Sequence, residues 1–258
     1  MIRRILVASD TLWRKVWISV AITAAFVAAT IFLVSVPASR FSNPAAREYA
    51  AAIARLILAG VAIIALRRSS PDALQSPTPR SWWIILPVAI YSLIVYPLLF
   101  TGTLALNVSE PNLASGVASN GFAAGALEEL VFRGLILSVW LSSDQKLSNA
   151  TRAIVVSALF FSLPHALNLF AGHAEARVIA QLVWSFLLGA VFACLRIVGR
   201  SIWPVVALHG VMNAFVHVNR LGVDIQPSIL GAVALACAPL PLCLYAAILV
   251  RKANRVEG

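Results

Sequence analysis

Apolar residues gather along the chain in eight long runs separated by short polar segments: Val16 to Val36, Tyr49 to Leu66, Trp82 to Leu104, Gly121 to Trp140, Ala153 to Phe170, Val178 to Leu195, Ile202 to Val218 and Ser228 to Val250. Each is close to the ~20 residues a helix needs to cross the hydrocarbon core of a bilayer. The pattern predicts an all-α polytopic membrane protein, a bundle of about eight transmembrane helices. Ser69 to Ser81 (SSPDALQSPTPRS) is polar and proline-rich and reads as a linker between the first two spans and the rest. Asn107 to Ser119 reads as a loop on the other side, with a formal glycosylation acceptor at Asn107-Val108-Ser109 that chance explains equally well. Residues 1–120 hold spans one to three and no assignable motif; residues 121–218 hold spans four to seven; residues 219–258 hold the last span and a basic tail.

Composition agrees with that frame, since 60% of the 258 residues are hydrophobic and only 12% charged, with a mean hydropathy of +0.89. A net charge of +10 raises nucleic acid as a partner, but the basic residues sort by loop instead of clustering on one face. With the N-terminus inside, the inner segments hold fourteen of them (Arg3, Arg4, Arg14, Lys15; Arg67, Arg68, Arg80; Lys146, Arg152; Arg196, Arg200; Arg251, Lys252, Arg255). The outer loops hold four: Arg40, Arg47, Arg177 and Arg220. That alternation predicts a protein of the cell membrane with both termini in the cytoplasm, the lipid bilayer as its surroundings and no nucleic-acid partner. Trp82, Trp83, Trp140, Trp203 and Tyr245 fall near span ends, as interfacial aromatics do. The first span has a basic start and a Val36-Pro37-Ala38 exit, but its length is that of an uncleaved anchor. Cys194, Cys237 and Cys243 lie in spans without metal-knuckle spacing and read as packing residues.

Two basic residues, Arg55 and Arg133, remain inside spans, and Arg133 has company. Glu128, Glu129 and Arg133 sit in the apolar run from Phe122 to Trp140, where one such charge costs about 2.5 to 3.5 kcal/mol at a helix centre. Glu129 and Arg133 are i and i+4 with the acid N-terminal, the favourable order for a pair. Glu128 is rotated about 100° from Glu129 and about 140° from Arg133, so one turn of helix does not bring all three to a shared contact. The spacing therefore splits the trio into a neutralising pair and a carboxylate available for chemistry; a buried charge network that only locks packing is the plain alternative.

Later spans carry further polar groups. His165 follows Pro164, whose missing N–H and crowding ring predict a kink, and Phe161 lies one turn before it. His209 and Asn213 are i and i+4 on one helix face, with His217 a turn further on. Interhelical hydrogen bonding accounts for any one of these residues alone. Counted from the outer ends of their spans, Glu128 lies about 7 residues in, His165 about 5 and His209 about 9, offsets that differ by only ~6 Å. A carboxylate, two imidazoles and an amide converging in an intramembrane polar cavity form a hydrolytic site with base, acid and oxyanion donors.

Glu128-Glu129-x-x-x-Arg133, Phe161-x-x-x-His165 and His209-x-x-x-Asn213, in this order on separate spans, resemble the CAAX protease and bacteriocin-processing family (CPBP, or Abi), intramembrane proteases that include the eukaryotic Ras-converting endopeptidase. The resemblance covers about Gly121 to His217. It implies an endopeptidase acting on a membrane-associated, lipidated or prenylated peptide or protein, in CAAX-type or bacteriocin-related processing. Glu128 and His165 would activate a water and His209 and Asn213 stabilise the oxyanion, with Glu129, Arg133 and Phe161 in support. No cofactor is expected. The alternative is zinc held by Glu128, His165 and His209, against which stand the absence of a His-Glu-x-x-His helix and the origin of each ligand on a different span. A proton-coupled transporter, or a scaffold or immunity protein sharing the fold, would use the same buried groups differently. The crowding of ionisable residues into spans four, five and seven, without an internal repeat, speaks for a single catalytic site.

Overall fold

A computed structural model of the protein describes residues 2–101, 113–141, 147–220 and 229–257. They form eight long helices, and among the described residues there is no strand. In chain order these are α1 (2–38), α2 (Pro44–Ser69), α3 (Pro79–Thr101), α4 (113–141), α5 (147–169), α6 (Glu175–Gly199), α7 (Trp203–Arg220) and α8 (229–257). The eight apolar runs each fall on one of them, and the protein is an all-α, polytopic membrane protein. Among the described residues five segments are long and apolar enough to cross a membrane: Thr11–Ala38 of α1, all of α2 and α6, Ala150–Leu169 of α5 and Ile229–Ala253 of α8. Pro79–Val95 of α3 is a shorter apolar helix. The remaining two, α4 and α7, carry Glu128, Glu129, Arg133 and His209.

Local signals set several helix ends. The Asn43 side chain accepts from Ala46 N at 3.1 Å, Pro44 follows at the first helical position, and Arg67 and Arg68 close α2 at its negative end. In α5 the chain tightens from α-helix to 3-10 helix at Leu163–Leu169, where Pro164 removes a donor. The helix α8 is interrupted between Cys237 and Leu240. Pro239 and Pro241 account for the break, and the Tyr91 hydroxyl of α3 donates to the Ala238 carbonyl there at 2.8 Å.

One sequence expectation changes and another is filled in. The loop expected over Asn107 to Ser119 is helical from Leu113 onward, so α4 begins well before Gly121; Asn107-Val108-Ser109 lies outside the described residues, as do positions 102–104 at the end of the third run. The segment reads as a loop because it is rich in serine and asparagine, but Ser115 and Ser119 are buried against other helices. The Ser69–Ser81 connection is docked, not free. Pro71–Leu74 forms a 3-10 turn, Ile202 N donates to Ala73 O at 3.1 Å, Ser201 Oγ to Gln75 O at 2.8 Å and Trp203 Nε1 to Leu74 O at 3.2 Å.

Helix α4 is the axis of the bundle: Leu130, Phe132, Ile136 and Leu137 are fully buried, as are Leu188, Val191, Phe192 and Leu195 of α6. Hydrogen bonds tie its neighbours to it, from Trp140 Nε1 to Ser19 Oγ of α1 at 2.9 Å and from Ser157 Oγ of α5 to Phe132 O at 2.8 Å. Helix α2 approaches through a seam of small residues, Ala52, Ala59 and Ala62, closed by Leu66. Helix α7 comes closer still, because its Gly210 meets Gly125 of α4 with no side chain between. A methyl group at Gly125 would lie 3.0 Å from Gly210 N and 3.2 Å from Gly210 Cα, both backbone atoms. Gly125→Ala should therefore push α7 away and destabilise the protein by about 1–3 kcal/mol, read as a lowered unfolding temperature in detergent. An unchanged midpoint would refute this contact as the determinant of α4–α7 spacing.

Candidate active site

The contact at Gly125 fixes where α7 presents His209, three to four residues from which α4 places its acids. Between two π-helical stretches, Val117–Ala123 and Leu130–Ile136, α4 carries a short α-helical segment, Ala124–Glu129, that ends on the two glutamates. Such wide turns shift the facing of side chains by a fraction of a turn and recur at functional sites.

Glu129 and Arg133 form the pair that their spacing predicts. Arg133 Nη1 donates to Glu129 Oε1 at 2.8 Å, and both side chains are completely buried. The guanidinium lies 4.0 Å from the centre of the Phe161 ring and 5.5 Å from that of Phe192, so aromatic faces from α5 and α6 replace water around it. Glu129 Oε1 also accepts from His209 Nδ1 at 2.8 Å, an interhelical bond that leaves the other ring nitrogen free. That nitrogen, Nε2, lies 3.6 Å from Glu128 Oε2. His209 thus stands between the two glutamates, nearly enclosed, while Glu128 keeps a quarter of its side chain exposed.

His165 is held differently. Its Nδ1 lies 3.2 Å from the carbonyl oxygens of both Phe161 and Ser162. A carbonyl only accepts, so Nδ1 carries the proton and Nε2 presents a lone pair. Phe161 stands edge-on to both imidazoles, 5.4 Å from His165 and 5.9 Å from His209 by ring centres. Phe192, which the motif spacing does not single out, packs 5.3 Å from His209 and completes its box.

Of the residues expected in the site, the structure joins Glu128, Glu129, Arg133 and His209 in one network and brings His165 to it through Phe161. Asn213 sits one turn beyond His209, half-buried, on the same helix. The zinc alternative needs Glu128, His165 and His209 together, and among the described residues no group of three or more His, Cys, Asp or Glu is gathered closely enough to hold a metal ion. Both imidazole Nδ1 atoms are engaged by protein acceptors, which leaves Nε2 as the working nitrogen of each ring.

A second polar group lies alongside. Arg55 of α2 donates through Nη1 to the Ser119 carbonyl at 3.0 Å and to the Ser119 hydroxyl, and Asn120 Nδ2 donates to Glu48 Oε2 at 3.2 Å. Glu48, Ala52, Arg55, Ala59, Ala62 and Leu66 recur at steps of four and three, which puts Arg55 on the seam facing α4. That periodicity was available in the sequence and singles Arg55 out.

Removing one charge from the buried network strands the others. Arg133→Ala should destabilise the folded protein by about 3–5 kcal/mol, and Arg133→Met combined with Glu129→Gln should recover part of that loss. Thermal unfolding of purified protein in detergent reads both; an unperturbed Arg133→Ala would show that the pair contributes nothing to the fold.

Residues 110–215 of the chain match the family model described as type II CAAX prenyl endopeptidase Rce1-like. No curated protein and no solved structure matches the chain. The matched segment contains Glu128, Glu129, Arg133, Phe161, His165, His209 and Asn213, the residues on which the sequence resemblance rested. The match covers residues 110–215, and it supports a CAAX protease-type domain in that segment of an integral membrane protein.

Proposed function

We propose that the protein is an intramembrane endopeptidase that hydrolyses a peptide bond of a membrane-associated or lipidated peptide or protein, in CAAX-type processing, with Glu128 as general base. The observation that carries this reading is the position of Glu128: a partly exposed carboxylate 3.6 Å from an imidazole nitrogen whose ring is fixed from behind by a fully buried acid. A base must reach solvent and substrate, whereas the groups that hold its partner in place need not.

In this mechanism a water sits between Glu128 and the lone pair of His165 Nε2. Glu128 takes its proton as the oxygen attacks the scissile carbonyl carbon. The carbonyl oxygen becomes an oxyanion and collects hydrogen bonds from His209 Nε2–H and the Asn213 amide. With Nδ1–H already given to Glu129, a donor at Nε2 means the imidazolium, and Glu128 and Glu129 together balance its charge and that of Arg133. The C–N bond then breaks as Glu128 passes the proton to the leaving amine, which restores the carboxylate. Glu129 and Arg133 take no part in proton transfer and hold the ring of His209. The distribution of basic residues supports an orientation with both termini in the cytoplasm of a cell-membrane protein.

The test is cleavage of a broad peptide library, with and without a lipidated cysteine, by purified protein in liposomes. Glu128→Gln should lower turnover by about 10²–10⁴-fold without changing the unfolding temperature, and a zinc chelator should leave the wild type active. Loss of activity on chelation would replace the glutamate mechanism with a metal-dependent one, and absence of any cleavage by folded wild type would remove the protease reading.

A further inference from the structure

Arg55 is a cation in the apolar α2 helix whose hydrogen bonds go to a neutral partner. Its Nη1 donates to the backbone carbonyl and hydroxyl of Ser119. Among the described residues no carboxylate lies within ion-pair distance of it, although Glu48 and Glu128 both lie near enough to act on its charge. Glu48 is already engaged by Asn120. The contrast with Arg133 is direct, since that guanidinium is neutralised at 2.8 Å within its own helix. A guanidinium kept inside a membrane bundle at a cost of about 2.5 to 3.5 kcal/mol, with no carboxylate among the described residues at ion-pair distance, is suited to receive an anion from elsewhere. Its fork of donors matches a carboxylate, and Ser119 occupies only one of its nitrogens.

The place of Arg55 relative to Glu128 says which anion. Its anchor Ser119 precedes Glu128 by nine residues on the same helix, roughly 13 Å along the axis, which about four extended residues span. A peptide lying along α4 with its scissile carbonyl at Glu128 reaches Arg55 within a few residues. The anion that every short peptide tail can offer is its terminal carboxylate. Resting on the endopeptidase reading, we infer that Arg55 is the specificity residue of this enzyme and binds the free C-terminal carboxylate of the substrate a few residues beyond the cleaved bond. The residue lies outside the matched segment 110–215, so the family match says nothing about it.

The experiment uses the peptide that wild type cleaves best in liposomes, synthesised as the C-terminal acid and as the C-terminal amide. Wild type should cleave the acid with a kcat/KM about 10–100-fold higher, the range of one charge-assisted contact. In Arg55→Gln the acid-to-amide ratio should fall to near one. Equal cleavage of acid and amide by wild type overturns the inference while leaving the protease reading intact. So does a ratio that survives in Arg55→Gln, because an Arg55 acting on Glu128 or on packing slows both peptides alike. Should Arg55→Gln not fold, Arg55→Lys keeps the charge without the fork and should cut the ratio at least threefold; an unchanged ratio refutes the assignment. If neither peptide is cleaved, the endopeptidase reading falls and takes this inference with it.

Discussion

The fully buried Glu129 carboxylate is the group around which this bundle is organised, because one of its oxygens is shared by Arg133 from its own helix and His209 from another at 2.8 Å each. In an apolar interior none of the three is tolerable alone. Arg133 needs an anion, Glu129 needs more than one donor, and His209 needs an acceptor that fixes which nitrogen faces Glu128. Satisfying all three at once requires α4 and α7 to touch at the backbone, which Gly125 and Gly210 permit. It also requires aromatic faces from α5 and α6 where water would otherwise be needed, and Phe161 and Phe192 supply them. Helix packing and site chemistry are thus one problem with one solution.

Glu128 owes its distinct character to the same arrangement. It is adjacent to Glu129 in sequence, yet one acid is sealed and the other partly open, because the network closes on one side of α4 only. The CAAX protease family match covers the residues of this network and the imidazole of His165. Two carboxylates with the same chemistry thereby differ through surroundings alone, one sealed against an imidazole and one partly exposed.

Much of this was legible in the sequence wherever the relevant contact is local. The Glu129–Arg133 pair follows from i,i+4 spacing, the change of helix type in α5 from Pro164, and the eight helices from the length of apolar runs. What the sequence hid involves contacts between helices. Nothing in the spacing of Glu129 and His209 announces their hydrogen bond, and the α-helical geometry used to separate Glu128 from its neighbours could not include an imidazole reaching in between them. Residues 113–119 resemble a loop because their polar side chains are those of a surface, although Ser115 and Ser119 are buried. Arg55 lay in plain view on a seam of alanines, but its meaning depends on Ser119, 64 residues away.

The bare backbone contact between Gly125 and Gly210 has one more effect. Side chains that pack between helices can hop among rotamers, and each hop changes the distance between what the helices carry. Two glycines have no such freedom, so the separation of the α4 and α7 backbones at this point is not averaged over alternative packings. Drift in sequence on the lipid-facing sides of the bundle can therefore accumulate with little effect on that spacing, and adaptation to a different substrate falls to helices, such as α2, that pack against α4 without setting its distance from α7.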